Sequence, residues 1–496
     1  MKKFWQYTPP KSTNTFKISK SSASPTLSKN IELKNSLSEN QEIMSIFLHK
    51  EKTNDAQFRN LSIIINNKKL NALLVFYDGL VDSEIINNYI IKQLLKNTQI
   101  TNNQNSVLKS NNQLELKTII PNMILADSSV KETNSFEEII DALLHGDTVL
   151  FIDQYNYAFI CDSKKLPGRT VGKAEIEMNL QGPAEAFVEN FRTNTALIRK
   201  FVKDENLIFE TIEIGTESKT RCAISYISTI TNESIITEVK NRLNQISIDY
   251  LLDSGQLEQL IEDKTSIISP LILNTERPDK VASHLIEGRV AIIVEGSNNV
   301  LIVPAIFSDF IHPSEDSYVR FPYSLLLRIT RIPAIFISIF LPGLYIAVCN
   351  FHQELILTDL LLAIAGTREK VPFTMLLELL IMEIAFEIIR EASIRTPAPV
   401  GPTLGIIGTL ILGQAIVSAN IVSPILIIIV ALTGISTFIV SDFSLNYSFR
   451  ILRFIYIFLR SICWFLWIIY GHIYSSCFTY YNNIFRCSVS HTFCTT

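Results

Sequence analysis

Hydrophobic residues are distributed very unevenly along this chain. Up to Arg328 and Arg331, short apolar runs alternate with charged residues, whereas Ile332–Cys349 (IPAIFISIFLPGLYIAVC) carries no charge. That run has roughly 18 residues, close to the roughly 20 that a helix needs to cross a bilayer. Further long apolar runs follow at Leu404–Ile421, Pro424–Val440 and Ile451–Tyr470. The pattern predicts a large soluble head followed by an all-α polytopic transmembrane domain over residues 325–471.

Two segments inside this domain leave the number of spans open. Leu355–Ala365 is apolar but short for a crossing. Phe373–Arg390 is long enough but carries Glu378, Glu383 and Glu387. The two segments form either a re-entrant hairpin or two tightly packed crossings, and the sequence favours neither.

The head has the pattern of an α/β fold in two lobes. Residues 61–180 form the first predicted lobe, which begins with Ala72–Tyr77 as a strand. Residues 181–320 form the second, which begins near Gly182-Pro183. Further predicted helices are Ser83–Leu95, Ser135–Leu144, Ala184–Val202 and Glu233–Ile246. Further predicted strands are Leu207–Ile214 and Arg221–Ser228, with hairpins Thr148–Ile152/Tyr157–Cys161 and Arg289–Val294/Val300–Pro304.

The N-terminal region, residues 1–60, is predicted to be a disordered basic and polar segment. It is rich in Ser, Lys, Asn and Thr and has few large apolar groups. It lacks the apolar core and cleavage site of a signal peptide, so we expect the head to stay in the cytosol. Arg328 and Arg331, just before the first span, agree with this orientation under the positive-inside rule.

Composition excludes several classes of function. The net charge of −4 and the absence of a basic stripe disfavour nucleic-acid binding. The seven cysteines include no CxxC pair, so a zinc site is not expected. Gly168–Ala174 (GRTVGKA) resembles a P-loop but is one residue short, and Ala174 replaces the magnesium-binding Ser or Thr. We therefore expect no cofactor, no metal and no enzymatic activity.

An acidic helix holds the candidate functional residues. Glu383, Glu387 and Glu391 follow one another at i, i+4 spacing, and Arg390 lies on the same helical face. Ionisable groups at membrane depth are costly and often line an ion path. In an oligomer these glutamates would form a cation-attracting ring, as candidate pore or gating residues. The alternative is an interfacial helix whose acids face the cytosol or internal arginines.

A proline-rich stretch follows this helix. Pro397, Pro399, Gly401 and Pro402 form a candidate hinge, and a plain loop is the alternative. The small residues that come next predict close helix packing, within one subunit rather than in a defined dimer motif.

Several blocks of the sequence resemble the A subunits of spore germination receptors, the GerA family. In the membrane domain these are Val371–Gly401 (VPFTMLLELLIMEIAFEIIREASIRTPAPVG) and Leu404–Pro424 (LGIIGTLILGQAIVSANIVSP). In the head they are Gly182–Lys200, Asn274–Ala305 and Glu315–Tyr318, in the same order as in the family. The resemblance extends from about residue 73 to residue 460.

The resemblance implies a function that the residues alone do not give. Such A subunits lie in the inner membrane of the dormant spore as multi-pass proteins with a cytosolic N-terminal domain. Their partners are a transporter-like B subunit, which is expected to bind the nutrient, and a lipoprotein C subunit. The A subunit is expected to form a homo-oligomeric, ligand-gated cation channel in contact with membrane lipid. Glu383, Glu387 and Glu391 fall in the family's acidic membrane motif. A non-conducting scaffold that relays the signal is the alternative.

Two departures from the family stand out. Lys173-Ala174 and Gln181 occupy places where the family carries an acidic-proline motif ending in arginine. After Arg460-Ser461 the chain is rich in cysteine and tryptophan instead of following the family's closing motif. We interpret residues 472–496 as an atypical tail that a frameshift would explain, with a divergent tail as the alternative.

Overall fold

The computed structural model describes residues 32–65, 68–96, 130–165, 177–179, 181–263, 269–395 and 413–462, together with Gly172 and Ala174. An α/β region comes first in the chain and a helical region follows it. This confirms the fold class in its coarse form. The predicted hinge at Pro397, Pro399, Gly401 and Pro402 lies outside the described residues.

The first lobe is built on a five-stranded sheet with the strand order β1-β2-β4-β5-β3, and each neighbouring pair is antiparallel. One face packs on helices α1 and α4, and the other packs on the α2–α3 segment, whose middle is the π-helical turn Ile86–Ile91. Strand β2 is buried on both faces, which explains its continuous apolar run. The elements in chain order are α1 (Leu37–Phe47), β1 (Ala56–Ile65), β2 (Lys68–Tyr77), α2 (Ser83–Ile85), α3 (Lys92–Lys96), β3 (Val130–Thr133), α4 (Phe136–Leu144), β4 (Thr148–Ile152) and β5 (Ala158–Cys161).

The prediction that residues 1–60 are disordered was wrong for residues 37–60. Helix α1 and the first half of β1 lie there. Met44 is fully buried and Leu48 nearly so, because both pack against the first sheet. Because most residues of the segment are polar, its few buried apolar residues did not stand out in the sequence.

The second lobe repeats this plan with the strand order β6-β7-β9-β10-β8, again antiparallel throughout. Helices α5 and α8 cover one face of the sheet, and α6 and α7 cover the other. The elements are α5 (Phe191–Phe201), β6 (Leu207–Ile214), β7 (Thr220–Ile227), α6 (Glu233–Gln245), α7 (Ser254–Ile261), β8 (Leu273–Thr275), α8 (Pro278–Ile286), β9 (Val290–Val294), β10 (Val300–Val303) and α9 (Phe307–Ile311).

Helix α5 begins later than the sequence suggested. The predicted helix Ala184–Val202 starts only at Phe191, because Asn190 caps it. The side-chain oxygen of Asn190 accepts a hydrogen bond from the Thr193 N–H at 3.1 Å. Such a cap fixes the first turn of a helix and leaves the preceding residues extended.

A buried ion pair joins the two lobes. Asp55, which precedes β1, and Arg199 of α5 are each 2% exposed. The Arg199 Nη2 donates to Asp55 Oδ1 at 3.1 Å and to the Leu207 carbonyl at 3.0 Å, and Nε donates to Asp55 Oδ2. The guanidinium carbon lies 3.9 Å from the ring centre of Tyr77. Burial raises the pKa of Tyr77 to about 12.

The helical region contains six helices within the described residues. Helix α10 is the one among them that is long and apolar enough to cross a membrane, and it contains the predicted span Ile332–Cys349. Helix α14 is apolar but shorter. The predicted spans Leu404–Ile421 and Ile451–Tyr470 extend beyond the described residues. The six helices are α10 (Phe321–Phe351), α11 (Thr358–Arg368), α12 (Met375–Arg395), α13 (Gly413–Ser418), α14 (Pro424–Thr437) and α15 (Phe443–Ile462).

The junction between head and helices is held by charged and aromatic contacts. Asp316 accepts hydrogen bonds from Arg331 at 2.6 and 2.8 Å and from Arg328 at 3.2 Å. The Tyr318 hydroxyl donates to Asp279 of α8 at 2.7 Å, and its ring lies over Gly182. The two arginines that the sequence placed at the membrane surface are thus bound to the head.

Helix α15 extends the hydrophobic core of the second lobe. Val440, Leu445 and Phe449 belong to the same buried cluster as residues of α5, α8 and the second sheet. The Ser441 hydroxyl donates to the Phe310 carbonyl at 3.3 Å. The head and the helical region therefore share one packed core.

Candidate functional site

Helix α12 carries the predicted acidic residues, and the structure distributes them over different surroundings. Glu383 is fully buried, Glu387 is half-buried and Glu391 is exposed. Glu378 is buried on another side of the helix. The i, i+4 spacing is correct, but the three successive acids do not share one environment.

Glu383 pairs with Arg453 of α15 in the interior of the helical region. The Arg453 Nη1 donates to Glu383 Oε2 at 3.0 Å, and the two side chains are 1% and 0% exposed. The same guanidinium donates to the Ser338 carbonyl of α10 at 2.7 Å and to the Thr437 hydroxyl of α14 at 3.1 Å. Arg453 therefore connects four helices, α10, α12, α14 and α15.

Glu387 pairs with Arg450, one helical turn before Arg453 on α15. The Arg450 Nε donates to Glu387 Oε1 at 2.9 Å, and Nη2 donates to Oε2. The guanidinium carbon lies 5.2 Å from the ring centre of Tyr447. Each of the two paired side chains is 17% exposed, so this pair lies closer to the surface than Glu383–Arg453.

The remaining predicted residues make contacts within their own helix or with aromatic groups. Glu391 accepts a hydrogen bond from Arg395 Nε at 2.7 Å, and both side chains are mostly exposed. The guanidinium carbon of Arg390 lies 5.3 Å from the ring centre of Phe438. Arg390 thus lies near an aromatic ring just after the end of α14.

Glu378 forms a separate contact at the start of α14. Its Oε1 accepts a hydrogen bond from the Ser423 N–H. Arg368 of α11 lies 4.0 Å from its other carboxylate oxygen. Carboxylates are favourable at helix N-termini, so Glu378 stabilises the start of α14.

A groove of about 690 Å³ runs between α12 and α15. Its walls are mostly apolar and include Ile388 and Phe454. Four charged side chains line it, of which two are acidic and two basic: Glu387, Glu391, Arg395 and Arg450. The groove is therefore charge-balanced in this state.

The structure brings Glu383 and Glu387 to arginines of α15, and pairing with internal arginines was one of the alternatives that the sequence left open. Sequence reasoning missed Arg450 and Arg453. A signal was present, because Arg453 lies inside the predicted span Ile451–Tyr470. A charge at membrane depth requires a partner, and a carboxylate on another helix was the available one.

The pore role of Glu383, Glu387 and Glu391 stays a prediction. No group of three or more His, Cys, Asp or Glu residues that could hold a metal occurs in the described part of the chain.

Comparison with protein families gives a match over most of the chain. The model of the Bacillus/Clostridium GerA spore germination protein family matches residues 42–486. This range extends past both ends of the stretch over which resemblance was expected, and it includes most of the segment predicted as an atypical tail.

Curated relatives are similar over comparable lengths. The chain is 40% identical to spore germination protein KA of Bacillus subtilis (strain 168) over 80% of its own length and 71% of that protein. It is 36% identical to spore germination protein A1 of the same organism, over 87% of each chain. Among solved structures, the N-terminal domain of the A subunit of the Bacillus megaterium spore germinant receptor GerK3 is 34% identical. That match covers 56% of this chain and 98% of that one, with a TM-score of 0.43.

Proposed function

Because this chain belongs to the GerA family of spore germination proteins, we propose that it is the A subunit of a nutrient germinant receptor that triggers spore germination. Its proposed place is the spore inner membrane, which it crosses several times, with the α/β head on the cytosolic side. Its proposed output is cation conduction by a homo-oligomer that a ligand opens.

The packing of the helical region supports the multi-pass arrangement. Helix α10 is long enough to cross a bilayer, and α12, α14 and α15 pack against it. Exposed apolar side chains such as Ile428, Ile435 and Phe438 suit contact with lipid. The proposed protein partners are the transporter-like B subunit and the lipoprotein C subunit, and no nucleic acid is involved.

The buried Glu383–Arg453 pair is the observation that carries the conduction proposal. Burying two charges costs several kcal/mol for each ion, and the attraction between them repays this only in good geometry. Replacing such a pair by apolar residues is often neutral or stabilising, so stability alone does not account for it. Ionisable groups at this depth normally serve ion movement.

The alternative function, a non-conducting scaffold, is supported by the same ion pairs. Glu383 and Glu387 are both neutralised within one subunit, and a scaffold needs such pairs only to hold its helices in register. Conduction requires in addition that at least one acid becomes free in the open state.

Potassium flux into liposomes that contain the full chain tests the proposal. Glu387→Gln suits this test because the Glu387 side chain is half-buried and glutamine has nearly the same shape as glutamate. Without ligand we expect a basal potassium flux from the wild type, and a lower basal flux or a reduced cation selectivity from Glu387→Gln. Glu295→Gln in the head removes an equal charge from an exposed pair and should leave the flux unchanged. Folded wild-type protein without potassium flux would support the scaffold.

A further inference from the structure

Helix α15 links the head directly to the acidic residues of α12. Its first half lies in the core of the second lobe through Leu445 and Phe449. The next turn carries Arg450 and Arg453, which bind Glu387 and Glu383. A displacement of the second lobe relative to α12 is therefore transmitted to both ion pairs by a single helix.

The two ion pairs differ in how firmly they are held. Arg453 is 1% exposed and donates hydrogen bonds to three other helices, so its removal from Glu383 would break all of these contacts. Arg450 donates to one carboxylate and lines the groove. Partly exposed ion pairs are weak compared with buried networks. The Glu387–Arg450 pair is thus the one that opens first, while Arg453 remains as a pivot.

The charge balance of the groove depends on the arginines. Removal of Arg450 from Glu387 would leave a carboxylate between the apolar walls of the groove without its hydrogen-bonded partner. A carboxylate in a narrow apolar passage attracts cations more strongly than one in water, because the surrounding dielectric is low.

We propose that Arg450 is the counter-ion that keeps Glu387 from attracting cations into the groove at rest, and that movement of α15 with the second lobe separates them. This inference rests on the proposed cation conduction and adds the residue and the helix that regulate it. Arg450 acts as a positioning residue, since it works through Glu387.

The test compares potassium flux and the potassium-to-chloride permeability ratio in liposomes that contain the full chain. Arg450→Gln should raise basal potassium flux by roughly threefold or more, because a partly exposed pair holds the closed state only weakly. It should also raise the permeability ratio, which a purely structural role would not change. Arg395→Gln is the matched comparison, because it removes the same charge from the groove and, among the residues that the structure describes, breaks an ion pair within α12. Its basal flux should rise less than that of Arg450→Gln, because the Glu391 side chain that it releases is 56% exposed and screened by solvent.

Two further variants make the result decisive. Glu387→Gln/Arg450→Gln should return the flux to the wild-type level or below, because the released carboxylate is absent. Arg450→Lys keeps the charge but cannot make the two parallel hydrogen bonds to Glu387, so it should give an intermediate flux. This variant replaces Arg450→Gln in the test if Arg450→Gln does not fold.

The outcomes separate this inference from the proposed function. A conducting wild type with unchanged flux in both Arg450→Gln and Arg450→Lys would overturn the regulatory role and leave conduction standing. Equal increases in Arg450→Gln and Arg395→Gln would show an effect of groove charge alone and would also overturn it. Folded protein that conducts in no variant would overturn conduction itself.

Discussion

Replacing Asp55 with alanine should open the contact between the two lobes of the head. The substitution leaves the Arg199 guanidinium buried without its carboxylate, and the Leu207 carbonyl remains as one acceptor. The Tyr77 ring face, at 3.9 Å, offers only weak compensation. We therefore expect a large loss of local stability from a single change.

The expected magnitude follows from the burial of both partners. Each side chain is 2% exposed. Removal of one member of a buried pair typically costs about 3–5 kcal/mol, because the other charge stays uncompensated in the interior. Each 1.4 kcal/mol corresponds to about a tenfold change in an equilibrium constant, so lobe opening should become more frequent by about 100-fold or more.

Hydrogen–deuterium exchange of the full chain in detergent measures this opening. The Phe209 N–H is a good reporter, because it donates to the Thr53 hydroxyl at 3.1 Å across the contact between the lobes. The rate of amide exchange in peptides from β6 should increase by about 100-fold or more. Asp55→Ala/Arg199→Met, which removes both charges, should recover part of the protection.

Glu295→Ala is the matched control. Arg221 donates two hydrogen bonds to Glu295, at 2.7 and 3.0 Å, much as Arg199 does to Asp55. These side chains are 49% and 35% exposed, and exposed pairs contribute about 0–1 kcal/mol. If Asp55→Ala changed exchange no more than Glu295→Ala, burial would not set the strength of this contact and the reasoning would be refuted.

Two more predictions concern the second lobe. Burial, together with the neighbouring Glu262 and Asp442, raises the pKa of Glu258 to about 8. The folded state therefore holds a proton that the unfolded state has lost, so this residue's contribution to stability falls as pH rises from about 4.5 to about 8. Glu258→Gln should have the melting temperature of the wild type at pH 5 and a higher one at pH 9, and a difference that is constant with pH would contradict this. Gly182→Ala should lower the melting temperature, because Gly182 has φ +106° and an added Cβ would lie 2.6 Å from the Tyr318 ring. Gly296→Ala measures the cost of the backbone conformation alone, because Gly296 has φ +84° and no atom lies within 4 Å of its added Cβ. An equal loss of melting temperature in both variants would exclude a role for the Tyr318 ring.

The sequence predicted those elements of the head whose signal is local. The hairpin β9–β10 was predicted because continuous Val, Ile and Leu runs flank a turn of Gly, Ser and Asn. Strand β1 was missed because Arg59, Asn60 and Ser62 interrupt its apolar residues. Its place at the sheet edge tolerates these polar groups, and edge position is set by strand pairing rather than by composition.

The candidate site was predicted only in part, for a similar reason. Helical spacing placed Glu383, Glu387 and Glu391 on one helix, as the structure shows. Their environments depend on residues far along the chain: Arg450 lies 63 positions after Glu387, and Arg453 lies 70 positions after Glu383. Which arginine meets which acid is decided by where the fold places α12 relative to α15, which periodicity does not encode.

The shared core of the second lobe and α15 has a consequence for biosynthesis. The Ser441 hydroxyl binds the carbonyl of Phe310, which leaves the ribosome 131 residues earlier. Domains generally fold as they are synthesised, at about 5–20 residues per second, so this face of the lobe stays uncovered until Ser441 and α15 have been made. Completion of the head therefore requires that the helical region has been synthesised. A chain that stops before Val440 presents an uncovered apolar face, which is the feature that chaperones and proteases recognise.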